Sequence, residues 1–247
     1  MNELYFSGEK MSMNRVAIIE NETNVLDLVK LYRQKKQLFE LFSRSVCSEF
    51  TSDPELNTGT PTVIHSIKSR LKDEDHLAEK IIRKREDGRQ ITQENLFSEI
   101  TDLAGIRVLH LHQNQFSALH AFITKKVKAK SWSLLEKPIA YTWDPESVDY
   151  YKSFKIRTSV KPSYYTSVHY LIAPANKQDV TCCEVQVRTL FEEVWGEIDH
   201  SINYPNPTQN MASIEQLRVL SKLVSTGSRL ADAIFKVHNE TVKPTPT

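Results

Sequence analysis

The stretch EVQVRTLFEEVWGEIDH, residues 184–200, changes its period partway along. Up to Thr189 the pattern alternates, with Glu184, Gln186 and Arg188 on one side and Val185 and Val187 on the other, as in a β-strand. Beyond it, Leu190, Phe191, Val194, Trp195 and Ile198 recur at helical spacing and read as a core face, with Glu193, Glu197 and His200 along its border. Thr189 followed three residues later by Glu192 is a capping box, so the strand runs directly into the helix. Such a junction requires a sheet with a helix folded back from it. The polar row faces either solvent, as on an edge strand, or a site.

The rest of the chain alternates in the same way. Residues 14–49 carry Val25, Leu28, Val29 and Tyr32, then Leu38, Leu41 and Phe42, at helical spacing, which predicts one or two amphipathic helices. The turn-rich segment 52–62 precedes a second helical pattern over 66–86 that stops near Gly88. A buried strand over 106–112 leads to a helix over 114–128. Residues 139–143 and 154–156 read as short strands joined by a loop holding Asp144 and Pro145. Residues 166–173 and 182–189 read as a central strand pair turning at 174–179, followed by a helix over 190–202, a break at 204–207 and a last amphipathic helix over 212–238. The expected class is α/β (α+β), a mixed sheet flanked by helices. The expected organisation is a flexible N-terminus over 1–12, a helical region over 13–59, a central domain over 60–204, a helical extension over 205–240 and a flexible tail over 241–247.

Composition limits the partners. A net charge of +1 with 26% charged residues predicts no global attraction to nucleic acid or membrane, so anion binding must come from local clusters. No apolar run reaches the roughly 20 residues that span a bilayer and no secretory signal opens the chain, so the expected location is the cytosol. Cys47, Cys182 and Cys183 have neither disulfide nor zinc spacing and are expected to pack as small hydrophobes.

Three local clusters carry chemistry. In SRLKDEDHLAEKIIRK, residues 69–84, a helix from about residue 71 would align Lys72, His76, Lys80 and Lys84, with Arg83 beside them. That stripe is either a solvated face balanced by Asp75 and Glu79 or a cradle for a triphosphate. Magnesium needs oxygen ligands, and Asp102 and Glu184 are the best placed carboxylates, although Asp102 equally suits a turn cap. In KPSYYTSVHY, residues 161–170, Lys161 and the hydroxyls suit a phosphate, Tyr165 suits stacking on a base, and His169 sits in the following strand; simple packing explains each equally well.

The order of these motifs resembles the alarmone synthetase domain of the RelA/SpoT family: a basic helix, then DLAGIRV, then KPSYYTSVHY, then EVQVRTLFEEVWGEIDH, over about residues 60–204. The resemblance implies a nucleotidyltransferase-like mixed sheet that moves pyrophosphate from ATP to the 3′-hydroxyl of GDP or GTP, making (p)ppGpp in a starvation or stress response. Carried over by position, Arg70, Lys72, Lys80, Arg83 and Lys84 would hold the ATP phosphates. Asp102 and Glu184 would be the Mg2+ and catalytic carboxylates, with Glu184 activating the attacking hydroxyl. Lys161, Tyr165 and His169 would hold the acceptor nucleotide, Tyr165 stacked on guanine, with Arg107, Gln186 and Arg188 in support.

Two departures stand out: Tyr164 takes the place of a glycine common in relatives, and His76 that of a serine. No His-Asp dipeptide occurs and 47 residues follow His200, so the resemblance implies a small synthetase-only protein without its own hydrolase. Small relatives often form homo-oligomers. A second reading makes the acceptor the 3′ end of tRNA or an adenine nucleotide, as in toxin-type relatives that have a neutralising protein partner, with the run KKVKAK at 125–130 lying along RNA. A third is a nucleotide-binding regulatory module with little catalysis, its last helix packing on the domain or on another subunit.

Overall fold

The computed structural model describes the backbone of residues 3–161, 163–176, 181–204 and 206–242, and within these the side chains from Asn24 to Glu240. The expectations for residues 1–12, for half of the 174–179 turn and for the tail fall wholly or partly on residues, or side chains, that are not described. The chain opens with the 50-residue helix α1 (Glu3–Ser52) and the single turn α2 (Pro54–Asn57), then β1 (Ser66–Leu71), α3 (Glu74–Glu86), the short α4 (Leu96–Glu99) and β2 (Ala104–His110). There follow α5 (Phe116–Lys128), β3 (Trp132–Leu134), β4 (Ile139–Tyr141), α6 (Pro145–Ser153), β5 (Arg157–Ser159), β6 (Ser167–Pro174), β7 (Cys183–Thr189), α7 (Leu190–Asn203) and α8 (Met211–Val242).

The strands form one mixed sheet in the order β1-β2-β7-β6-β4-β5, with β3 paired to β6 off that path. The β2/β7 and β4/β5 pairs are parallel and the others antiparallel. Alternation then sorts the side chains: Ile106, Val108, Val185, Val187, Val168 and Tyr170 are buried on one face, in one core with residues of α1 and α5. Along α1 the buried residues Val25, Leu28, Val29, Tyr32, Phe39, Val46 and Phe50 keep helical spacing. Leu38 and Leu41, expected on that stripe, are instead exposed, because the stripe passes through Phe39. All three cysteines are free thiols, with Cys182 and Cys183 buried.

Four local expectations are corrected. The helix predicted over 66–86 is a strand followed by a helix: Asp73 accepts hydrogen bonds from the N–H groups of Asp75 (2.9 Å) and His76 (3.4 Å), so α3 is capped there and cannot extend back. Asp144 and Pro145 do not sit in a plain loop but start α6, as N-cap and first-turn proline. Residues 154–156 close that helix, with Lys155 at φ 61, and the strand comes next, at Arg157–Ser159. On α7, Val194 and Ile198 are exposed although their spacing reads as core, and on the amphipathic α8 Leu217 and Val224 are buried while Leu223, Leu230, Ile234 and Val237 are exposed.

Candidate active site

Register extends the polar row of β7 across the sheet. Gln186 is paired with Arg107 on β2 and His169 on β6, Glu184 with Gly105 and Leu171, and β1 sets Lys68 opposite Arg107 and Arg70 opposite Gly105. Paired residues share a face, so Lys68, Arg70, Arg107, His169, Glu184, Gln186 and Arg188 all rise from the side away from the α1/α5 core. Three adjoining cavities of about 370, 380 and 300 Å3 lie over this face, bounded by α3 and by the C-terminal half of α7, and His200 lines all three.

One end is cationic. Arg70, Lys72, Lys80 and Arg83 line the cavity beside α3 together with Asp102. Arg70 and Lys72 come from the end of β1 and the connector after it, whereas Lys80 and Arg83 lie on α3. Tyr32 fixes the connector by donating to the Lys72 carbonyl at 2.9 Å. Lys84 turns away and donates to the Glu99 carbonyl, and burial, then its cationic neighbours Arg89 and Lys80, lower its pKa. His76 lines this cavity and meets the ring of Tyr204, which stacks on His200.

Two carboxylates stand in the middle. Asp102 holds Lys80 at 2.6 Å and Lys72 at 3.1 Å through Oδ2, while its Oδ1 is buried without a partner. Burial raises its pKa, but the two ammonium groups outweigh burial and leave it below the usual range. Glu184 meets His169 Nδ1 at 3.0 Å through Oε1 and accepts from Gln186 Nε2 at 2.6 Å through Oε2. Its pKa is also lowered: burial pushes up, and the hydrogen bonds from His169 and Gln186 overcome it. Both carboxylates line the same cavity, floored by Gly105. Magnesium takes one or two protein carboxylates beside substrate phosphates, so two carboxylates lining one cavity, one of them with an oxygen that has no partner, suit that ion. Among the described residues no cluster of three or more His, Cys, Asp or Glu offers a larger metal cage.

The far end is aromatic. The Tyr165 hydroxyl lies 3.0 Å from His169 Nε2 and 3.4 Å from Gln186 Oε1, and its ring sits under the Arg188 guanidinium at 5.8 Å. Both ring nitrogens of His169 are therefore engaged, by Tyr165 and Glu184. Lys161 is exposed and lies over the Tyr141 ring at 4.3 Å. Tyr164 has φ 61, the left-handed conformation that glycine adopts freely and that costs a bulky residue roughly 1–3 kcal/mol. The departure from glycine in the sequence thus falls at a position whose backbone favours glycine.

The main addition to the sequence reading is Glu193, together with Lys68. Buried Glu193 pairs with Lys68 at 3.0 Å, with Arg107 at 3.2 Å and with the equally buried Arg188. Burial raises its pKa, and the charge of Arg188 followed by those of Lys68 and Arg107 brings it below the ordinary value. Gly196 makes room for this hub, since a Cβ there would stand 2.9 Å from Arg188 Nη1. Arg107 also reaches Glu197.

Fold and charge layout define an α/β protein with a cleft on one sheet face, cationic at one end and holding two carboxylates in the middle. The model of the family described as a region found in RelA / SpoT proteins matches residues 69–209, more than half the chain, and the chain belongs to that family. Comparison with curated proteins gave no match. Among solved structures, the small alarmone synthetase 1 of Bacillus subtilis bound to its product pppGpp is similar with a TM-score of 0.60 at 18% identity, covering 87% of this chain and 97% of that one. The same synthetase bound to AMPCPP gives 0.54 at 17%, covering 85% and 97%. The small alarmone synthetase 2 of Bacillus subtilis gives 0.58 at 18%, covering 85% and 98%. At these identities the likeness establishes the fold, a mixed sheet flanked by helices. Among the described residues, no helix is long and apolar enough to cross a membrane.

Proposed function

We propose that this protein transfers the pyrophosphoryl group of ATP to the 3′-hydroxyl of GDP or GTP, making (p)ppGpp and AMP with Mg2+. The observation that carries the reading is the placing of Asp102 and Glu184 in one cavity, between a cluster of four cations and Tyr165. The similar synthetases bound to pppGpp and to AMPCPP support the substrates. Arg70, Lys72, Lys80 and Arg83 hold the triphosphate, and Tyr165 presents its ring to guanine. Glu184 takes the proton of the 3′-hydroxyl as its oxygen bonds to the β-phosphorus of ATP, and the bond from that phosphorus to the α,β-bridging oxygen breaks to release AMP. Asp102 and Glu184 would hold Mg2+, which when bound neutralises charge building on the phosphates. Catalysis is alignment plus charge neutralisation, with no covalent enzyme intermediate.

Incubation with ATP, Mg2+ and GDP is expected to give AMP in equal amount to a guanine nucleotide heavier by one pyrophosphoryl group; ADP, or AMP without that nucleotide, contradicts the reading. The carboxylate role has its own test. Asp102→Asn removes the charge that Lys72 and Lys80 share, and the Mg2+ concentration giving half-maximal rate is expected to rise by about 10–100-fold. A Mg2+ titration that matches wild type would place the ion elsewhere.

The tRNA reading loses one of its supports. Lys125, Lys126 and Lys128 lie in the last turn of α5, which packs on the opposite face of the sheet from the cleft, and Lys126 is paired with Glu49 at 2.8 Å.

A further inference from the structure

We infer that Tyr164 is a positioning residue, which holds Tyr165 in the cleft by fastening the acceptor loop to α8. The inference rests on the acceptor reading of Lys161, Tyr165 and His169. A tyrosine keeps φ 61 only when its surroundings over-determine it, and here the ring supplies that determination. It packs edge-on against Trp143, with centroids 5.6 Å apart, and under the Arg218 guanidinium of α8 at 5.9 Å. Tyr164 is half-buried and lines a small cavity of about 10 Å3 together with Trp143, Trp195 of α7 and Ser221 and Val224 of α8.

The wall behind the ring is itself tied to α8. Asp144, next to Trp143, caps α6 through the Glu146 N–H at 3.2 Å and accepts from Ser225 and Arg229 of α8. A second tie joins Asp232 of α8 to His112, and Trp195 Nε1 donates to the Leu217 carbonyl at 3.0 Å. The left-handed residue separates two neighbouring rings: Tyr164 lies against Trp143 and α8, while Tyr165 reaches His169 at 3.0 Å over the catalytic face. Loosening the first ring frees the second. A glycine at 164 would accept the same backbone angle without strain but would have no ring to fasten, so this chain holds its loop through side-chain packing.

The test compares Tyr164→Ala, Tyr164→Gly and Arg218→Ala in the full chain, by amide hydrogen exchange over residues 163–167 and by separate KM values for acceptor and ATP. Exchange is expected to speed up in all three. In Arg218→Ala the change should be about 2–5-fold, the scale of one exposed cation–π contact. Acceptor KM is expected to rise roughly 10-fold in Tyr164→Ala, which loses the ring and keeps an unfavourable angle, and less in Tyr164→Gly, with ATP KM unchanged. A general structural defect would instead raise both KM values together, and that result overturns the positioning role. Unchanged exchange over 163–167 overturns the fastening. If the wild-type protein transfers nothing to any acceptor, the proposed function fails, and the exchange measurement still decides whether Tyr164 secures the loop.

Discussion

Replacing Glu184 by Gln is expected to lower kcat by about 10²–10⁴-fold, the usual contribution of a positioned general base, with KM for ATP changed only a few-fold. The substitution keeps shape but removes the negative charge, and with it both the capacity to take a proton and a charged ligand for Mg2+. Glu184 accepts from Gln186 Nε2 at 2.6 Å and meets His169 Nδ1 at 3.0 Å, and Gln186 can rotate its amide to suit a glutamine neighbour. The cations proposed to hold the triphosphate, on β1, the connector after it and α3, are not among the hydrogen-bond partners of Glu184, so ATP binding should persist. Burial favours the neutral acid here, but the hydrogen bonds from His169 and Gln186 overcome it and keep the group ionised, as a proton acceptor needs. Single-turnover transfer with saturating ATP separates this effect from binding. A variant within 10-fold of wild type would assign the proton to another group and show that transfer does not need the Glu184 charge.

The second large effect is on stability. Glu193→Ala is expected to destabilise the fold by about 3–5 kcal/mol, because it leaves the Arg188 guanidinium buried without its counter-charge. Side-chain exposure is only 6% for Glu193 and 3% for Arg188, so water cannot replace the lost partner. Arg107 keeps Glu197, and Lys68 is largely exposed, so neither adds much to the loss. Urea unfolding should show a lower midpoint at unchanged slope. The double variant Glu193→Ala, Arg188→Ala should lose less than the sum of the single losses, because the stranded charge is gone as well. A loss below about 1 kcal/mol in Glu193→Ala would mean that the cavity beside Arg188 hydrates the guanidinium.

How much of this was legible in the sequence depends on the range of the signal. The strand-to-helix junction at Thr189 and the polar row of β7 are local, and the period of two fixed which residues share a face. The breadth of the polar face was not local, since register brings β1, β2 and β6 alongside β7. β1 was hidden because Lys68, Arg70 and Lys72 fit a period of two, while Lys72, His76, Lys80 and Lys84 fit a helix equally well. Asp73, a good N-cap residue, was the signal that separates them. Asp144-Pro145 likewise carried a helix start that the turn chemistry of the same residues concealed. Glu193 reads as a solvated helix border because its cationic partners come from three different strands. The exposed Val194, Leu223, Leu230 and Ile234 show that helical periodicity marks a face without saying whether anything covers it.

The most direct test of the central claim is transfer of label from ATP carrying it on the β-phosphorus, with Mg2+, in parallel reactions offered GDP, GTP, ATP and deacylated tRNA, and with Glu184→Gln as control. The account predicts label on GDP or GTP, released AMP in equal amount, and almost none in the control. Label on tRNA or ATP alone, or on no acceptor at all, would contradict it.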